Sequence, residues 1–246
     1  MNYNIMIRIL HKQDFHPTLC TFFADYLVDC QTQFFFNGYL MDPTNFTVGI
    51  GQGSTLSPIL SGLYVAPVIH KWAPIHKCQF GDVELQFFVD DGLISVAGPT
   101  PPPSSPYTQL QVNNFIIAYV FNDLANDLNR MELGVEADKL ELIHFKRPLR
   151  TTDDSLGPDL IIKLDSALVR VPLKAKMRYL GFFLNPKLTF CNHIKFYATK
   201  ACSTVASFQM LGNSTQGFTP INKRCLYIAN VLSLLIYSAQ LWWHPS

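Results

Sequence analysis

The sequence predicts an α+β chain on three observations. Apolar residues recur at helical spacing through the first thirty residues and again over 107–131; paired apolar runs joined by turn residues lie between and after them; and the tail from about Cys191 returns to a helical pattern. At 246 residues and 48% hydrophobic content the chain can bury a sizeable core, as one large domain or two small ones, and it does not read as disordered.

Each element has a local cause. Ile5, Ile9 and Leu10, then Leu19, Phe22, Phe23, Tyr26 and Leu27, predict two short helices, with Pro17 opening the second. In "TQFFFNGYLMD" two apolar runs meet at Asn37 and Gly38, the dipeptide favoured where a tight hairpin needs positive φ at both central positions. "TNFTVGIG" is extended and ends in glycines. Ser57 and Pro58 read as an N-cap and a first-turn proline opening a helix through Leu63 and Tyr64, which Pro67 should kink or end. Residues 79–96 read as strand, turn and strand around Asp90 and Asp91. "GPTPPPSSP" can join neither ladder nor helix and predicts a surface loop. The apolar spacing from Leu110 to Met131 predicts a long helix, "KLELIHFKR" a strand, and "LIIKLDSALVRV" and "MRYLGFFL" two more extended segments.

The last nineteen-residue apolar run, 225–243, is uncharged and long enough to cross a bilayer. Asn230, Ser233, Ser238 and Gln240 favour a buried packing helix instead. The N-terminal apolar run is soon interrupted by charge, too little for a signal-peptide core. Six cysteines without a CxxC pair signal neither a disulfide framework nor a zinc site; free thiols in a reducing compartment are expected.

Net charge is +1, but its distribution is uneven. Residues 1–165 hold all 18 acidic residues and 10 basic ones, whereas 166–246 hold 9 basic residues and no acid. Such a segment attracts polyanions, nucleic acid foremost, unless it is simply a basic solvated face.

An Asp-Asp pair at a hairpin tip is, taken alone, ordinary turn chemistry. Here a glycine-rich turn leading into a helix, "GIGQGSTLSPILSGLY", precedes it, and turns of that kind let backbone approach a nucleotide closely. In this order and at this spacing the segments resemble adjacent motifs of reverse transcriptases, particularly those of non-LTR (LINE-type) retrotransposons. Gly49, Gln52, Gly53, Ser57 and Pro58 match a Gly-x-Pro-Gln-Gly-x-x-x-Ser-Pro motif, with Gly51 in place of proline. Phe88, Val89, Asp90 and Asp91 match the aromatic-x-Asp-Asp motif, Lys139 the lysine after the next helix, and Tyr179, Leu180 and Gly181 a primer-grip-like "YLG" strand.

The resemblance implies a fold, a reaction and a set of roles. The fold would be a two-layer palm with an antiparallel sheet, with partial fingers and palm over 1–184 and a helical thumb with the start of a connection region over 185–246. The activity would be RNA-directed DNA polymerase, a nucleotidyl transfer using two Mg²⁺ ions, because charge builds on phosphoryl oxygens and hard cations take carboxylate ligands. Asp90 and Asp91 would hold metal, and Lys139 would serve the leaving pyrophosphate as acid or electrostatic partner. Gly49, Gln52, Gly53 and Ser57 would contact template or nucleotide; Tyr179, Leu180 and Gly181 would hold the primer end. Lys174, Lys176, Arg178, Lys187, Lys195, Lys200, Lys223 and Arg224 would contact phosphates. The implied partners are an RNA template, a DNA primer and dNTP, in the cytoplasm or nucleus, with no membrane.

In this family a first catalytic carboxylate precedes the opening helices, and none of Asp14, Asp25, Asp29 and Asp42 sits in such a strand. The expectation is a truncated fragment that starts just after that motif. It would have half of the metal ligands, be inactive as the isolated chain, and associate through an exposed sheet. Two rivals stand beside this reading: a nucleic-acid-binding remnant without catalysis, and a single-span membrane protein using 225–243.

Overall fold

The computed structural model describes residues 1–28, 30–45, 49–51, 53–145, 157–164, 167–210 and 217–243. The chain divides into two compact units, the first made of Met1–Leu140 and Leu160–Val171, the second of Glu141–Asp159 and Pro172–Ser246.

The first unit opens with α1 (Tyr3–Lys12) and α2 (Pro17–Leu27). Asn2 caps α1 by accepting the backbone N–H groups of Asn4 and Ile5, and His16 Nδ1 accepts the Thr18 N–H at the start of α2. β1 (Gln31–Thr32) pairs with β4 (Thr44–Asn45), and β2 (Phe35–Phe36) with β3 (Tyr39–Leu40). The turn between β2 and β3 places Asn37 at φ 50° and Gly38 at φ 82°, as the dipeptide predicts.

Helix α3 spans Ser57–Phe80, so Pro67 does not end it. Tertiary burial overrides the proline: Val68, the next residue, and Trp72, more than a turn beyond, are 4% and 1% exposed. Nor does Ser57 act as an N-cap. It lies inside the helix, and its hydroxyl donates to the Gly51 carbonyl at 2.7 Å.

Next come β5 (Asp82–Phe88) and β6 (Asp91–Ala97), an antiparallel hairpin in continuous register from Asp82 opposite Ala97 to Phe88 opposite Asp91. Helix α4 (Gln109–Arg130) starts at a capping box of Thr108 and Gln111. Its buried face carries Ile116, Val120, Phe121, Leu124 and Leu128, while Phe115 and Tyr119 point to solvent. Gln109 Nε2 donates to the carbonyls of Gly98 and Pro99, pinning the start of the proline-rich loop to this helix. The segment "LIIKLDSALVRV" is itself a hairpin, β7 (Leu160–Leu164) with β8 (Ala167–Val171).

Two apolar clusters hold this unit together. Met6, Leu10, Phe23, Leu27, Leu60 and Tyr64 join α1 and α2 to the first turns of α3. Val68, Trp72, Val83, Ile116, Val120 and Leu124 join the rest of α3 to β5 and α4. Asp127 is buried on α4 with Lys71 Nζ at 2.6 Å and Arg130 Nη1 at 2.8 Å, so its charge is compensated from α3 and from its own helix.

In the second unit, β9 (Met177–Tyr179) and β10 (Phe182–Leu184) form a tight hairpin, followed by α5 (Cys191–Met210) and α6 (Pro220–Leu226). The expected strand over 139–147 is reduced to one isolated parallel bridge between Leu142 and Leu173; residues 146 and 147 lie outside the described residues. The C-terminal run is not one straight α-helix. A π-helical stretch (Tyr227–Leu232) and α7 (Ser233–Leu235) lead to a break at Ser238, at φ 61°, before α8 (Ala239–Trp242). Pro220–Trp242 is long and apolar enough to cross a membrane by length and composition, and only 11% of its apolar window is buried. The expected buried packing helix is therefore largely exposed, with Val231 and Ser238 its buried contacts.

The α+β class holds, but the expected single antiparallel sheet does not form among the described residues, whose strands make five separate two-stranded ladders. Both β6 and β7 pack on α4, yet they do not hydrogen-bond to each other. The five cysteines with described side chains, Cys20, Cys30, Cys191, Cys202 and Cys225, are free thiols.

Candidate active site

The β5–β6 hairpin reverses through Val89 and Asp90, and Val89 sits at φ 59°. A two-residue loop with positive φ at its first position suits the right-handed strand twist, but that position favours glycine; a β-branched residue there is strained. The ladder on either side holds it in place. The result is a fixed tip that projects two exposed carboxylates, Asp90 and Asp91, with no hydrogen bond or ion pair to either among the described residues.

A cleft of about 560 Å³ lies behind this tip within the first unit. Its charged lining is Asp90, Asp91, Glu136 and Lys139; much of the rest is apolar, including Leu85, Phe121 and Leu124. Lys139 ends a single 3₁₀ turn (Ala137–Lys139), and its Nζ lies 2.7 Å from Glu136 Oε2. The Glu136 carboxylate, by hydrogen bond and charge, and then the Asp90 charge raise the Lys139 pKa. Its ammonium is therefore held protonated, which suits an anion partner better than a proton donor near neutral pH.

Asp90, Asp91 and Lys139 thus come together. Of the glycine-rich motif, Ile50 lines the cleft but Gly49, Gly53 and Ser57 do not, and Gln52 lies outside the described residues. Tyr26 Oη and Ser54 Oγ, 2.7 Å apart, tie α2 to this loop, and Ser54 Oγ also accepts the Leu56 N–H. Asp14, Asp25 and Asp42 do not line the cleft, and Asp29 is outside the described residues.

Two adjacent carboxylates are hard donors of the kind that divalent cations take. Among the described residues, however, no group of three or more His, Cys, Asp and Glu side chains converges. Glu136, the nearest candidate by its place in the cleft, is engaged by Lys139. The donor set falls short of a complete two-ion site, and no reaction step follows from it.

In the second unit, Tyr179, Leu180 and Gly181 lie at the β9–β10 turn, where Leu180 has φ 46° and Gly181 φ 84°. Arg178 and Lys176 approach the Phe183 ring, with the guanidinium carbon 5.7 Å and Nζ 5.5 Å from its centroid. This unit holds 11 basic and 4 acidic residues.

Sequence reasoning missed Glu136 and Tyr26. The "EADK" spacing, which places Glu136 three residues before Lys139, was a readable sign of the first. The tie from Tyr26 to Ser54 spans 28 residues and has no local sign.

No protein-family model matches the chain. Over 207 residues it is 25% identical to the probable RNA-directed DNA polymerase from transposon X-element of Drosophila melanogaster. The aligned stretch is 84% of this chain and 20% of that protein, so the chain spans about a fifth of the relative's length. This similarity supports a reverse-transcriptase relationship.

Proposed function

We propose that the chain is a palm-and-thumb portion of a non-LTR retrotransposon reverse transcriptase, with fingers and palm over 1–184 and thumb from 185. The observation that carries the reading is the convergence of Asp90, Asp91 and Lys139 on one cleft, in a chain similar to a probable RNA-directed DNA polymerase. Asp90 and Asp91 are the carboxylates this chain contributes toward Mg²⁺. Lys139, kept cationic by Glu136, is the electrostatic partner of an incoming or departing phosphate. The basic second unit follows the backbone of an RNA–DNA duplex, sequence-independently and with strong salt dependence. Template, primer and dNTP are its partners, in the cytoplasm or nucleus.

The short donor set supports a corollary: the isolated 246-residue chain holds duplex but does not extend it. Side chains at the tip of the β2–β3 hairpin, Phe35, Phe36 and Tyr39 at 72–80% exposure, are the surface through which it self-associates.

Primer extension on an RNA template with Mg²⁺, run beside Asp90→Ala, tests the whole. Retention of primer-template without extension, lost as salt rises, is the expected result. Robust synthesis that Asp90→Ala abolishes would refute the corollary while upholding the family reading. Absence of any duplex retention, with recovery in membranes after an alkaline wash, would replace the reading by a membrane span through Pro220–Trp242.

A further inference from the structure

The β9–β10 turn is held from outside by side chains far along the chain. Tyr237 Oη donates to the Leu180 carbonyl at 2.7 Å, and Tyr197 Oη donates to the Gly181 carbonyl at 3.1 Å. The Phe183 N–H donates to His193 Nδ1 at 3.4 Å, and His193 Nε2 lies 3.2 Å from the Tyr237 carbonyl. A backbone N–H can only donate and a carbonyl can only accept, so these partners assign His193 as the neutral tautomer protonated on Nε2. The break at Ser238 frees the Tyr237 carbonyl from the helical ladder: the Leu241 N–H bonds to Ser238, leaving the Tyr237 carbonyl to accept from His193 and, at 3.4 Å, from the Trp242 indole N–H.

The rings close over the turn. His193 is 1% exposed and Tyr197 is 9%. The His193 and Tyr197 centroids are 4.7 Å apart, and those of Tyr197 and Tyr237 are 5.0 Å apart. A Cβ added at Gly181 would stand 2.8 Å from Tyr237 Oη and 3.3 Å from Tyr197 Oη. The turn is thus glycine-specific from both sides, by its φ of 84° and by the hydroxyls above it.

Arg178 is the second residue of β9 and Lys176 immediately precedes the strand, so the orientation of the turn sets where both cations stand. We infer that His193, Tyr197 and Tyr237 are positioning residues: a clasp that fixes the turn at Leu180 and Gly181 and, through it, presents Lys176 and Arg178 to a phosphodiester backbone. None of the three needs to touch the nucleic acid. The role of the two cations rests on the nucleic-acid reading above, whereas the clasp itself rests on its hydrogen bonds.

The test compares the intact chain with Tyr237→Phe, with a Lys176→Ala/Arg178→Ala double variant, with the triple combination, and with Tyr227→Phe as a control for an exposed hydroxyl on the same C-terminal run. Each is first confirmed folded by circular dichroism. Hydrogen–deuterium exchange of the peptide covering 177–184 reads the clasp; anisotropy of a labelled RNA–DNA duplex at about 0.1 M KCl reads the positioning. Losing one net hydrogen bond corresponds to about a two- to tenfold change in either readout. Tyr237→Phe is expected to speed exchange and to weaken duplex binding by that factor, Tyr227→Phe to do neither, and Tyr237→Phe to add nothing once Lys176 and Arg178 are gone.

Unchanged exchange in Tyr237→Phe would overturn the clasp. Faster exchange with unchanged affinity, or a full additional loss in the triple variant, would overturn the positioning role. An intact chain that fails to hold the duplex would defeat the nucleic-acid reading and the positioning role together, with the exchange result still deciding the clasp.

Discussion

The turn at Val89 and Asp90 in the first unit and the turn at Leu180 and Gly181 in the second both reverse a short antiparallel hairpin through positive φ, and they are stabilised in opposite ways. The first is held by its own ladder, seven residue pairs long, and among the described residues no side chain hydrogen-bonds to its tip. The second has a ladder of three pairs, too short to hold a turn unaided, and two distant tyrosine hydroxyls and a histidine compensate. An exposed tip suits groups that must reach a ligand, whereas a clasped tip suits a backbone that must not move.

The harshest way to break the comparison is Gly181→Ala. The substitution forces a side chain into left-handed φ and into the Tyr237 and Tyr197 hydroxyls. A loss of about 2–4 kcal/mol is expected, the sum of backbone strain and overpacking. Gly92→Ala is its counterpart in the first hairpin. Gly92 is not at positive φ, and the atoms nearest its added Cβ belong to the Phe87 ring, the first at 3.0 Å. A loss of under about 1 kcal/mol is expected there. Urea unfolding read by tryptophan fluorescence checks both; equal losses would show that the clasp contributes nothing to the glycine requirement.

Next in size are substitutions that relieve strain. Val89→Gly removes a β-branched residue from φ 59° and should stabilise the chain by about 0.5–1 kcal/mol, net of the entropy that glycine costs. Leu180→Asn, at φ 46°, should gain a similar or smaller amount, about 0.5 kcal/mol, because asparagine tolerates left-handed backbone and keeps the carbonyl that Tyr237 bonds. Thermal melts of the two variants check this. A destabilised Val89→Gly would mean that the tip is held by more than its ladder.

The difference between the turns also explains what was legible in the sequence. The first hairpin could be read locally: alternation along β5 and the two carboxylates at the tip fall within one short stretch, and the lysine downstream declares itself by its place in the order of motifs. So did the Asn37–Gly38 turn, the two opening helices and the long helix α4. The clasp could not be read, because Tyr237 meets Leu180 across 57 positions and His193 meets Tyr237 across 44, and no period or motif encodes such pairings. Pro67 misled for the same reason. The local rule against proline is sound, but burial of Val68 and Trp72 against distant elements outweighs it. Among the described residues the strand expected over 139–147 comes down to the Leu142–Leu173 bridge, where the Lys174 N–H donates to the Leu142 carbonyl, a contact that no alternation pattern announces.

The smallest effect sharpens the comparison on its electrostatic side. No charge is needed in the second turn's clasp, whereas the first site depends on charge, since Lys139 is raised above its ordinary 10.5 by Glu136 first and then by Asp90. A lysine whose folded pKa is raised contributes stability that is fully present below the unfolded value and lost as pH rises through the folded one. The relevant window therefore lies above about pH 10.5. Because Lys139 is fully exposed, the effect belongs in a titration rather than in a melting curve. Nuclear magnetic resonance titration of the Lys139 Nζ should show its pKa moving down in Glu136→Gln and moving down further, by a smaller step, when Asp90→Asn is added. If Asp90→Asn alone produced the larger step, the ammonium would be held chiefly by the hairpin tip, and Glu136 rather than Asp90 would be the carboxylate left free for a cation.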